Sequence, residues 1–76
     1  MKRKYLKAQF EHVSAGRVAK ELDEKFNFVV GDNVHYWAIF ETNVKPEVLQ
    51  KAIHDMNGGA YCHAYSIPYE DVEEYL

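Results

Sequence analysis

The stretch FNFVVGDNVHYWAIFET, residues 26–42, decides the fold. FNFVV is a short run of aromatic and β-branched residues, and VHYWAIFET is a longer one; both compositions favour strand. Between them GDN supplies turn chemistry. Gly31 and Asn33 tolerate positive φ, and Asp32 can bond its own backbone. The spacing predicts a β-hairpin with its second strand over residues 34–42.

Both flanks of this hairpin read as helix. Upstream, HVSAGRVAKELDEKF places Ala15, Val18, Ala19, Leu22 and Phe26 at three- and four-residue spacing, with Ser14 as a candidate N-cap. Gly16 costs about 1 kcal/mol relative to Ala inside a helix, which argues for a start beyond it. Downstream, NVKPEVLQKAIHDMNGG offers Pro46 for the first helical position. Val48, Leu49, Ala52, Ile53 and Met56 form a stripe, and Asn57-Gly58-Gly59 is a stop. Outside the helices lie two more alternating segments. KYLKAQFE puts Leu6, Ala8 and Phe10 on one side and Tyr5, Lys7 and Gln9 on the other. AYCHAYSIPY sets Cys62 and Ala64 against Tyr61, His63, Tyr65 and Ile67, and Pro68 ends it.

The order β-α-β-β-α-β is that of the ferredoxin-like split βαβ arrangement. It predicts an α+β domain: a four-stranded antiparallel sheet, first and third strands central, two helices on one face. Residues 1–76 make one domain, with 69–76, YEDVEEYL, as an acidic tail or short helix. A hydrophobic content of 47% with 28% charged residues is that of a globular chain. The single cysteine, Cys62, excludes an internal disulfide and favours a reducing, cytoplasmic setting. No apolar run follows the basic opening MKRK, and none approaches the roughly 20 residues of a membrane span. Membrane association is therefore not expected. The net charge of −3 argues against a general nucleic-acid binder. The charge is uneven: Lys2, Arg3, Lys4 and Lys7 open the chain, and Glu70, Asp71, Glu73 and Glu74 close it.

In the third strand, Trp37 and Ile39 are the expected core pair, which turns Tyr36 and Phe40 outward. The face away from the helices then carries Tyr5, Tyr36, Phe40, Tyr61, Tyr65 and Ile67, rimmed by the acidic tail. With the opposite register Trp37 and Ile39 would face out, and that face would stay apolar. An aromatic sheet face of this size needs a cover. Three covers are open: a second copy in a homodimer, a different protein, or stacked bases of single-stranded nucleic acid as on RRM sheets. Against the last, HYWAIF lacks the basic-glycine start of the RNP1 pattern. The tail can also dock there itself, with Val72, Tyr75 and Leu76 on one side.

The topology brings His12, His35, His54 and His63 towards one end of the sheet, with Asp32, Asp55 and Cys62 nearby. These are metal-ligand types, but the spacing matches no CxxC or HExxH motif. Solvated loop and edge histidines are the plainer reading, and no cofactor is expected. Cys62 and His63 are adjacent on a strand, so they face opposite ways and cannot form a dyad. No nucleophile elbow, phosphate loop or carboxylate pair occurs. The sequence therefore points to a non-catalytic interaction module, a small inhibitor or adaptor of the kind phages encode against host proteins. It would act through the aromatic face and acidic tail, Glu70, Asp71, Glu73 and Glu74. The alternatives are an RRM-like nucleic-acid binder and a dimer binding a metal or small ligand at the histidines.

Overall fold

In the computed structural model, which describes residues 4–76, seven elements follow one another. They are β1 (Tyr5–Phe10), α1 (Ala15–Phe26), β2 (Phe28–Asp32), β3 (Trp37–Glu41), α2 (Pro46–Met56), β4 (Cys62–Ile67) and α3 (Tyr69–Glu73). The strands form one antiparallel sheet in the order β2-β3-β1-β4, so β1 and β3 are central, as the element order predicts. The fold is α+β with three helices. Lys2 and Arg3 of the basic opening lie outside the described residues.

Local chemistry explains the helix ends. Ser14 Oγ accepts from the Arg17 N–H at 3.1 Å, and Asn27 closes α1 in the left-handed region at φ 57°. The helix starts at Ala15, earlier than Gly16 suggested, because the Gly16 N–H donates to Asn33 Oδ1 of the β2–β3 turn at 3.1 Å. A tertiary bond thus satisfies one of the helix's otherwise orphaned first donors. Gly31 of β2 lies under the same turn of helix; a Cβ there would stand 2.8 Å from Ala15 Cβ. In α2, Pro46 occupies the first turn, and Gly58 and Gly59, at φ 65° and 85°, carry the chain out. Of its expected stripe only Leu49 and Ile53 are fully buried. Val48 is 48% exposed and belongs to the outer side.

Two apolar layers result. Between the sheet and α1 and α2 lie Leu6, Ala8, Phe10, Val18, Leu22, Phe26, Ala38, Phe40, Leu49, Ile53, Cys62 and Ala64. On the other face Tyr5, Trp37, Ile39 and Val72 form a second cluster, joined by Val29, Val30 and Ile67. Full burial of such an aliphatic side chain contributes about 1.5–3 kcal/mol.

This partition corrects the expected register of the third strand. Residues that oppose each other across an antiparallel pair share a face. Leu6 opposes Phe40 and Ala8 opposes Ala38, so Ala38 and Phe40 go under the helices while Trp37 and Ile39 turn away. Phe40 is held there edge-on between Phe26 and Phe28, at centroid distances of 6.4 and 5.7 Å. The strand also begins at Trp37 rather than at 34. Asp32 Oδ1 accepts from the Val34 and His35 N–H groups, and Tyr36 sits at φ 55°, so residues 33–36 are turn.

A helix side chain reaches each edge of the sheet. Asp23 of α1 accepts from the Phe28 N–H at 2.9 Å on β2, and Gln50 of α2 accepts from the Ala64 N–H at 3.0 Å on β4. Edge amides tied in this way resist pairing with another chain.

Candidate interaction surface

The face away from α1 and α2 is roofed by α3. Pro68 is extended at φ −75° and ψ 157°, and its carbonyl accepts from the Asp71 and Val72 N–H groups, which turns the chain back over the sheet. Val72 inserts, fully buried, into the second cluster. Tyr69 stands against Tyr5 at a centroid distance of 5.5 Å, and Tyr75 against Trp37 at 4.5 Å. Lys7 lies between these pairs. Its Nζ is 4.8 Å from the Trp37 ring centre and 5.0 Å from that of Tyr75, and it donates to the Tyr75 hydroxyl at 3.3 Å. The Tyr5 hydroxyl donates to Glu41 Oε2 at 3.0 Å.

The outer side of α3 is acidic. Glu70, Asp71, Glu73 and Glu74 are all exposed, and among the described residues none of their carboxylates makes an ion pair or hydrogen bond. Glu70 and Asp71 suit the positive end of the helix. A cleft of about 790 Å3 opens where β4 meets α3, lined by Lys4, Tyr5, Ser66, Ile67, Pro68, Tyr69 and Glu70. Beside α3, at the β4 edge, His63 and Tyr65 stack at 5.6 Å, and Tyr61 next to them is 56% exposed.

The expected surface residues thus separate. Tyr61 and the four carboxylates are exposed, and Tyr65 is half-buried. Ile67 and Tyr5 are tucked against the α3 cluster. Tyr36 is 42% exposed, but in the turn rather than on the sheet face. Phe40 is on the opposite side, wholly buried under the helices, which removes it from any interface. Neither Tyr36 nor Phe40 therefore stands beside Tyr5 on the face where an RRM-like sheet would stack bases. Trp37 joins this face through the alternative register of the third strand, and what the sequence alone left out is the contribution of Tyr69 to the roof. The signal for the latter was present: Tyr69, Val72 and Tyr75 recur every three residues, one stripe of a helix.

The histidines have separate engagements. His12 lies 3.7 Å from Glu11, and His35 donates from Nδ1 to Asp32 Oδ2 at 3.1 Å. His54 donates from Nδ1 to the Ala60 carbonyl at 3.0 Å, and His63 stacks on Tyr65. Among the described residues no group of three or more His, Cys, Asp or Glu could hold a metal ion. The His35 contact, followed by the Val34 amide, holds the Asp32 carboxyl below its ordinary value of 3.8. Burial pushes the Cys62 thiol up to about 11. No described helix is long and apolar enough to cross a membrane. Comparison with known proteins adds no relative: no family model matches the chain, and no curated protein or solved structure does.

Proposed function

We propose that this chain is a non-catalytic interaction module that offers the outer side of α3 to a basic surface on another protein. One observation carries the reading: on and just after a short helix that Val72, Tyr69 and the following Tyr75 hold to the sheet stand four carboxylates that make no ion pair among the described residues. A clamped charge array loses little freedom on binding and steers an oppositely charged partner. Tyr61, Tyr65 and the exposed part of Tyr75 provide aromatic contacts at its rim. The roof over Tyr5, Trp37 and Ile39 weakens the motive for a homodimer and favours a foreign partner. The fold is best classed as ferredoxin-like with α3 added, which the strand order and the two covering helices support. A free, buried Cys62 suits a reducing, cytoplasmic setting.

The test is cross-linking and co-purification with the intact chain, its Tyr65→Glu variant, and a variant with Glu70, Asp71, Glu73 and Glu74 all changed to Gln. The expected result is a partner captured by the wild type, released by salt and lost with the Gln variant. A partner retained equally by both variants rejects this surface.

A further inference from the structure

We propose that the cleft between the end of β4 and α3 seats a proline-rich segment of the basic partner, held in the polyproline II conformation. The inference rests on the reading that α3 faces such a partner, and it keeps α3 seated on the sheet. The cleft, of about 790 Å3, has the size of a site for a small ligand or a few residues of a peptide. Tyr5, Ile67, Pro68 and Tyr69 give it apolar walls. The Tyr5 and Tyr69 rings meet at 5.5 Å with a tilt of 42°, and Tyr69 keeps 47% of its surface exposed. Aromatic-lined grooves of this kind pack proline rings.

Two observations select that occupant. The first is the state of the sheet edge. Ala64 donates to Gln50, so the N–H groups of Cys62, Ala64 and Ser66 point away from β1. Two residues past Ser66 stands Pro68, which has no N–H. Ser66 is thus the one edge amide left at the cleft, whereas an added strand needs one at every second residue. The occupant must leave most of its backbone to water, as polyproline II does. The second is the surplus of donors. Besides the Ser66 amide, Lys4 and Tyr69 bring an ammonium and a hydroxyl to the lining, and neither group is bonded among the described residues. A prolyl chain offers carbonyls without N–H groups and so matches them. At the α3 rim, the Glu70 carboxylate makes no ion pair among the described residues, which fits an Arg or Lys flanking the prolines.

The test uses the full chain and labelled peptides of about nine residues with a Pro-x-x-Pro core and one Arg before or after it. Control peptides carry Ala for each Pro, or Gln for the Arg. Binding is followed by anisotropy, and contacts by intermolecular NOEs. The expected result is that one Arg peptide binds at least about tenfold tighter than its Ala control, with NOEs from its proline rings to the Tyr69 ring. Tyr69→Leu, which keeps an apolar contact to Tyr5, should weaken binding at least about fivefold, and Glu70→Gln should erase the preference for Arg over Gln. Trp37 is the only tryptophan, so an unchanged emission shows that α3 is still seated in the variants; where it changes, the wild-type NOEs decide. Pro and Ala peptides that bind equally, or not at all, overturn the proposal, as do NOEs that fall elsewhere. A partner held through the α3 carboxylates that no Pro peptide displaces overturns this inference alone. A partner retained by the four-Gln variant removes the reading beneath it.

Discussion

At the scale of single residues, fit and ionisation make the sharpest predictions. Gly31 sits where a Cβ would meet Ala15 Cβ at 2.8 Å and the Trp37 carbonyl at 3.1 Å, and neither neighbour is the end of a flexible side chain. Gly31→Ala should therefore destabilise by about 1–3 kcal/mol in urea unfolding, by pushing α1 off β2. Unchanged stability would mean that α1 does not pack on β2 as closely as described. Cys62 should resist alkylation at neutral pH in the folded protein and react only on unfolding, because its buried thiol keeps its proton up to about 11. Since the unfolded thiol ionises near 9, stability should fall as pH rises from about 9 to about 11. Cys62→Ala should remove that part of the fall. Asp32 runs the other way. Its folded value is depressed, so its contribution is complete above the ordinary 3.8 and is lost as pH falls below it. Asp32→Asn should flatten that acid limb of the thermal-stability profile.

At the scale of elements, the two long helices were legible because their apolar residues repeat within a few turns of chain. Ala15, Val18, Leu22 and Phe26 need no distant partner to be read as one stripe. The parity of β3 was not legible, because Trp37 with Ile39 and Ala38 with Phe40 are both plausible core pairs. The choice depends on what covers Trp37, and that is Tyr75, far along the chain. The surface was therefore half legible: the acidic residues and Tyr65 are where the sequence put them, and Phe40 is not. The sheet edges add a prediction. Gln50→Leu leaves the Ala64 amide without its side-chain acceptor, at a cost of about 0.5–1.5 kcal/mol, and frees β4 for strand pairing. The variant should show concentration-dependent association by light scattering that the parent lacks. If it stays as monodisperse as the parent, the bond is not what guards that edge.

At the scale of the whole molecule, the chain closes both faces of its sheet with its own helices and does so without a disulfide. Sedimentation equilibrium should accordingly give the single-chain mass of 8.9 kDa across a wide concentration range. A stable dimer would move the search for function to the seam between copies. Four of the twelve acidic residues lie within residues 70–74, so raising salt should weaken whatever α3 holds more than it weakens the fold itself.

The irregularity in β2 has a consequence for changes of chain length. Phe28 pairs with Phe40 and Val30 with Ile39, so Val29 is an extra residue with no counterpart on β3. Losing Val29 would leave Phe28 on one layer and Val30, Gly31 and Asp32 with their present partners. Losing a residue within β1, which pairs without a break on both sides, would exchange Leu6, Ala8 and Phe10 for Tyr5, Lys7 and Gln9. A one-residue change of length at position 29 therefore costs the packing of Val29 on the second cluster but keeps every other strand residue on its side of the sheet.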